Sequence, residues 1–238
     1  MRYKKGLWLS LAVNIILLST AIFIFFRIGG ISYVKDHLTA QKEYPPHVKI
    51  RTDALTLVGK QQKDIVFFGD SHTNYFEWGE YMDSNKVANR GVASDTTGNM
   101  LKRVHTVNQL KPKKVFIMAG INDIQLDVPV GDIFRHYQEI VKRIRKANPN
   151  VHIYIQSTLP VNQAKYKAHF YHGSYKLNKA VRLLNNQLKT MTGSQVTFID
   201  LYADLAKKGQ LPQKWTVDGL HLNKEGYEIW LDHLKPYL

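Results

Sequence analysis

The stretch VFFGDSHTNYF, Val66–Phe76, begins as an apolar run and breaks at Gly69-Asp70-Ser71. An apolar run of this length bounded by turn residues reads as a buried strand, and the break places a serine on a sharp turn at its carboxyl end. Gly, Asp and Ser are ordinary turn and helix-capping residues. The same turn also exposes a hydroxyl in the position a nucleophile would need, so three residues leave both readings open. The rest of the chain has to decide between them.

Working outward from that strand, short β-rich runs recur at Ile65–Phe68, Val87–Asn89, Val115–Ala119, Val151–Gln156 and Val196–Ile199, with longer segments between them. Ile133, Tyr137, Ile140, Val141 and Ile144 recur at helical spacing, as do Leu177, Val181, Leu184 and Leu188. Strands alternating with amphipathic helices imply parallel βαβ units with right-handed crossovers, hence a three-layer α/β/α sandwich, here with five strands. Ligands of such sheets lie beyond the carboxyl ends of the strands.

The segments that follow the strands are polar. After the first strand comes Ser71; after the second, NRGVASDTTG (Asn89–Gly98); after the third, AGIND (Ala119–Asp123); and after the fifth, TVDGLHLN (Thr216–Asn223). A nucleophile needs a base within hydrogen-bond reach and an acid that orients the base, and Asp218 with His221 offers both on one short loop. The Ser71 and Gly91 backbone N–H groups and the Asn122 side-chain amide are candidate donors to a developing oxyanion. Asp95 or Thr96 is expected to cap the next helix, Asp123 to cap a helix, and Asp70 to hold its turn through backbone hydrogen bonds. His72 is adjacent to Ser71 and would point away from it, which suits a structural hydrogen bond.

The blocks FFGDSHT, NRGVASDTT, MAGIND and DGLHLN, the last running into KEGYEIW, occur in order over some 160 residues. Residues 63–238 thereby resemble the SGNH (GDSL-type) hydrolases, close to the platelet-activating-factor acetylhydrolase-like bacterial esterases. The resemblance implies a flavodoxin-like parallel sheet of order 2-1-3-4-5. It implies Ser71 as nucleophile, His221 as general base, Asp218 as its orienter, and an oxyanion hole that includes Gly91 and Asn122. No metal and no other cofactor is implied. Two positions depart from the pattern: His72 stands where an aliphatic residue is more usual, and Ser94 where glycine often stands.

The amino-terminal region is different in kind. Arg2, Lys4 and Lys5 precede an apolar run, Gly6–Phe26, whose 21 residues extend about 31 Å as a helix, close to the roughly 30 Å of a hydrocarbon core. Bulky residues end the run where a cleavable signal would have a small-x-small site, so the expectation is an uncleaved single-pass anchor in the cell membrane. The basic flank should remain cytoplasmic, leaving the rest outside. The expected domains are then 1–26 anchor, 27–62 juxtamembrane segment broken at Pro45-Pro46, and 63–238 hydrolase domain.

There is no cysteine, which removes disulfides and thiol chemistry. Without Arg2, Lys4 and Lys5 the formal charge falls from +14 to +11, a balance that favours anionic partners such as phosphate-rich wall polymers or lipid head groups. Nucleic acid is not expected, because no recognition-helix, zinc-finger or RNP pattern is present. His169 and His172 have a spacing seen in metal sites but no third ligand beside them. The segment Asn162–Asn178, with Tyr166, Phe170, Tyr171 and Tyr175, is long for a connection and is a candidate lid or substrate wall. Together these features lead us to expect a membrane-anchored extracytoplasmic serine esterase acting on short-acyl esters, O-acetyl groups of wall or surface saccharides among them. Lysophospholipase activity, acyl transfer from the same acyl-serine, and a noncatalytic wall-binding module are the alternatives.

Overall fold

The computed structural model describes residues 2–27, 30–31, 45–58, 61–162, 164–165 and 173–238. The chain divides into two units, residues 1–49 and 50–238. In the first, α1 (Arg2–Arg27) is one continuous helix. Its window Ser10–Arg27 has mean hydropathy 2.0 with none of it buried, and it is long and apolar enough to cross a membrane. A further helix, α2 (Pro46–Leu57), starts on the second residue of Pro45-Pro46. The proline pair therefore opens a helix, since proline's fixed φ and missing N–H cost nothing in a first turn.

The second unit is built on five strands: β1 (Ile65–Gly69), β2 (Val87–Gly91), β3 (Lys114–Met118), β4 (His152–Gln156) and β5 (Val196–Ile199). They form one sheet in the order β2-β1-β3-β4-β5, parallel throughout. All five expected strands are present, β5 with the expected bounds and the others with boundaries shifted by one or two residues. Strand β1 lies between β2 and β3, both later in the chain, so the order reverses direction at β1 and its carboxyl end is the switch point of the sheet. The run Val66–Phe68 is buried on both faces, as a strand covered by helices on each side must be.

Alternation along the strands divides the core. Val66, Phe68, Val115 and Ile117 face one apolar cluster, which is completed by α5 (Thr97–Arg103), α6 (His105–Asn108), α8 (Val130–Ala147) and α9 (Gly173–Lys189). Phe67, Phe116 and Met118 face the other, completed by α4 (Trp78–Tyr81), α10 (Leu201–Leu205) and α11 (Lys224–Leu234). The residues singled out by helical spacing, Ile133 to Ile144 and Leu177 to Leu188, are all buried. On the second face Phe67 stacks on Trp78 at 3.7 Å between ring centroids. Two further short helices, α3 (Ser71–Asn74) and α7 (Ile121–Gln125), begin directly after β1 and β3.

Candidate active site

Gly69 ends β1, and Asp70 is the residue before α3, so Ser71 occupies the first position of that helix. Asp70 Oδ1 accepts the His72 N–H at 3.1 Å, the turn-holding role expected of it. This arrangement leaves the Ser71 N–H without an acceptor among the described residues, as the first N–H of a helix normally is. After β5 the chain returns as the loop Thr216–Leu222, pinned by Thr216 Oγ1 donating to the His221 carbonyl at 2.7 Å and by Val217 N donating to the same carbonyl at 2.9 Å.

That loop sets the histidine. Asp218 Oδ1 accepts the N–H groups of Leu220 (2.9 Å) and His221 (2.8 Å), while its Oδ2 lies 2.6 Å from His221 Nδ1. Desolvation pushes the Asp218 carboxyl up, but the His221 side chain and the two backbone donors outweigh it and hold the group below its ordinary value. With Nδ1–H donated to this carboxylate, Nε2 is left as an acceptor. His221 Nε2 lies 3.0 Å from Ser71 Oγ. The structure thus brings Ser71, His221 and Asp218 into one hydrogen-bonded line, across a separation of 150 residues.

The expected oxyanion donors are treated unequally. Asn122, in the first turn of α7, donates one amide hydrogen to the Asp95 carbonyl at 2.8 Å, which leaves the second hydrogen without an acceptor among the described residues. Gly91 needs correction: its N–H donates to Asn89 Oδ1 at 2.8 Å and is not free for an oxyanion. The requirement for glycine at this position is steric, because a Cβ there would lie 2.3 Å from the Asn74 backbone nitrogen in α3. Ser94, on the same loop and next to Asp95, presents a further unpaired N–H that the sequence reading did not consider. It is exposed, adopts φ +63, and its N–H has no acceptor among the described residues. Its sequence signal was the departure from glycine, since the left-handed region is where glycine is usually used.

The remaining polar residues brace this edge. Thr96 caps α5 by accepting the Asn99 N–H, whereas Asp95 pairs with Arg103, Nε to Oδ2 2.6 Å, with both side chains buried. Asp123 accepts both the N–H (3.0 Å) and the hydroxyl (2.6 Å) of Thr97, so it caps the neighbouring helix α5. Burial pushes its carboxyl upward. Tyr75 is half exposed and sits edge-on to His221 with ring centroids 5.3 Å apart. His169, His172 and the aromatic segment Tyr166–Phe170–Tyr171 lie outside the described residues, as does the side chain of Tyr175.

A serine, an imidazole and a carboxylate aligned at the switch point of a doubly wound parallel sheet define the serine-hydrolase class of α/β proteins. The GDSL-like Lipase/Acylhydrolase family model matches residues 67–229. Among solved structures, one from Streptococcus pneumonia, described as a candidate platelet activating factor, is 30% identical over 80% of this chain and 92% of its own, with a TM-score of 0.71. A candidate acylhydrolase from Bacteroides fragilis is 23% identical over 82% of this chain and 97% of its own (TM-score 0.67), and a GDSL-like lipase from Bacteroides thetaiotaomicron 21% over 79% and 95% (TM-score 0.63). No curated protein matches the chain. The chain belongs to the GDSL-like lipase/acylhydrolase family, whose members hydrolyse ester bonds, and it is an enzyme of that type.

Proposed function

We propose that this protein is a membrane-anchored esterase, with its catalytic domain outside the cytoplasm, that removes short acyl groups, O-acetyl above all, from surface or wall saccharides. The observation that carries the chemistry is the 3.0 Å separation of His221 Nε2 and Ser71 Oγ, with Asp218 behind the ring.

In this reading Ser71 Oγ bonds to the ester carbon while its proton passes to His221 Nε2 and the carbonyl π electrons move onto oxygen. Asp218 stabilises the imidazolium without taking its proton. The Ser71 N–H, the second Asn122 amide hydrogen and the Ser94 N–H are the donors available to the oxyanion. Collapse expels the alkoxide, which takes the proton from Nε2 and leaves an acyl-serine. Water then attacks by the same route, giving the carboxylic acid and restoring Ser71.

Anchoring is supported by α1, apolar and exposed over the length of a bilayer core, with basic residues at its amino end. A short acyl group is supported by the polar character of buried residues in the turns that follow β1 and β3, namely Asp70, His72, Thr73 and Asn122. A lysophospholipase is the second reading. Exposed Tyr75, Leu126 and Val217, which follow β1, β3 and β5, supply apolar contacts at the same edge.

An acyl panel from acetyl to octanoyl esters, assayed with the full chain and with Ser71→Ala, tests both. The expected outcome is a kcat/KM highest for acetyl, and loss of several orders of magnitude in a folded Ser71→Ala variant. A rate climbing steadily to octanoyl would replace the saccharide reading with the lysophospholipase, each buried CH₂ then contributing about 0.8 kcal/mol. Acyl transfer to an added sugar, with no free acid released, would make the enzyme a transferase.

A further inference from the structure

The net charge of the chain is unevenly placed on the fold. Helices α8 and α9 pack side by side on one face of the sheet. They carry nine basic residues (Arg135, Lys142, Arg143, Arg145, Lys146, Lys176, Lys179, Arg182 and Lys189) against two acidic ones, Asp132 and Glu139. That is +7, half of the formal +14 of the whole chain, and all nine basic side chains are exposed. On the opposite face α4, α10 and α11 carry five acidic residues against one lysine, a charge of −4. Neither the fold nor the ester chemistry requires this asymmetry. Clustered like charges oppose compaction, and the acids of α8 already pair with Arg135, Lys142 and Arg143.

The basic face is also concave. A shallow groove of about 650 Å³ runs between the carboxyl half of α8 and the start of β5, with Lys142, Arg145, Lys146 and Gln195 along it and Phe134 and Met191 in its lining. A second, of about 420 Å³, lies on the other side of α9 and is lined by Lys179, Arg182, Lys189, Phe198 and Tyr202, with Asp200 its one acid. The first groove opens at the amino ends of β4 and β5, where Pro149 and Val196 line it, away from the edge that carries Ser71. An occupant there leaves the ester site open.

We propose that the α8–α9 face binds a linear polyanion of phosphodiester type that carries no nucleobases, and so holds the enzyme against its surroundings independently of catalysis. Charge complementarity gives the sign of the partner. The surface chemistry weighs against two rivals: proteins that bind single-stranded nucleic acid interleave stacking aromatics with their cations, and membrane-adsorbed helices insert Trp, Phe or Leu between lipids. On these two helices Leu183 is the only large hydrophobic side chain that is exposed among the described residues, and the aromatics that line the two grooves, Phe134, Phe198 and Tyr202, are only partly exposed and do not stand out between the cations. A chain of phosphates can lie in grooves that a flat bilayer would bridge.

The test uses the full chain in nanodiscs of neutral lipid, with long-chain inorganic polyphosphate as the probe. Lys142→Glu/Arg145→Glu/Lys146→Glu is compared with Lys224→Glu/Lys235→Glu on the opposite side of the sheet. The triple variant should weaken polyphosphate binding by about tenfold or more and flatten its dependence on salt, whereas the control should bind like the wild type. An unchanged melting temperature verifies the fold of each without reference to activity. If the triple variant does not fold, Lys142→Gln/Lys146→Gln should show a smaller loss in the same direction. Undiminished binding by a folded variant overturns the proposal. So does tighter binding, at equal phosphate concentration, to phosphatidylglycerol vesicles, which would make the partner a membrane, or to single-stranded DNA, which would make it a nucleic acid.

Discussion

His72 Nε2 lies 3.0 Å from the carbonyl oxygen of Leu220, so the residue that follows Ser71 in the chain fastens the backbone immediately before His221. The other ring nitrogen faces Asp70 Oδ1 at 3.5 Å, and both side chains are buried. One side chain thus ties the β1 turn to the loop that carries Asp218 and His221. An aliphatic residue in its place would fill the space without making that tie.

The tie has a pH signature. Desolvation lowers the affinity of His72 for its proton, but the hydrogen bond and charge of Asp70 outweigh it, so its folded value lies above the ordinary 6.5. A raised value stabilises the fold fully below the unfolded value, and the contribution disappears as pH rises through the folded one. The melting temperature of His72→Leu should therefore fall further behind the wild type at pH 5.5 than at pH 8.5. An equal deficit at both would mean that His72 does not carry this proton.

The two residues once paired as oxyanion donors should fail in different ways. Asn122→Ala should keep the fold and lose about 10²–10³ in kcat, with a smaller change in KM. Gly91→Ala should lose the fold, because the added carbon would meet the backbone of Thr73 and Asn74 at 2.6 Å and 2.3 Å. Thermal melting separates the two outcomes. A folded Gly91→Ala variant with selectively reduced kcat would restore Gly91 to the oxyanion hole.

Much of this architecture could be read from the sequence because its signals are local. Five apolar runs and the periodicities of Ile133–Ile144 and Leu177–Leu188 require only side-chain alternation, and Asp218 and His221 lie three residues apart. Gly91 was misread because a glycine needed for a close approach of two backbones looks the same in sequence as one that offers its N–H. The pairing of Asp95 was not legible either, nor was which helix Asp123 caps. Arg103 reaches Asp95 back along the length of α5 and Thr97 meets Asp123 across 26 residues, and no spacing rule encodes either contact.

Removal of residues 1–26 should move the protein from the detergent phase to the aqueous phase in a cloud-point partition and leave kcat/KM for a soluble acetyl ester within about twofold. The second unit begins at Ile50 and holds both apolar clusters, so α1 contributes nothing to the core, and on the proposed reading its part is attachment. A truncated chain that stays in the detergent phase would locate membrane affinity elsewhere in the protein.

The buried pair Asp95–Arg103 offers the sharpest test of how the site edge is held. Arg103 donates to Asp95 Oδ2 at 2.6 Å, to the Arg90 carbonyl at 2.7 Å and to the Gly69 carbonyl at 2.9 Å. It therefore clamps the ends of β1 and β2 to the residue whose own carbonyl receives Asn122. Burial pushes the Asp95 carboxyl upward and Arg103 opposes this. Arg103→Met should cost about 3–5 kcal/mol, because it strands a buried carboxylate and two carbonyls. Without the arginine, Asp95 should bind its proton more tightly in the folded state than in the unfolded one, so the deficit should grow as pH rises from 4 to 7. Arg103→Lys keeps the charge but cannot reach three acceptors with one fork, so it should recover only part of the loss, with kcat still reduced through a displaced Asn122. Full recovery with lysine would show that charge alone holds the edge, and that the two carbonyl contacts contribute nothing to positioning Asn122.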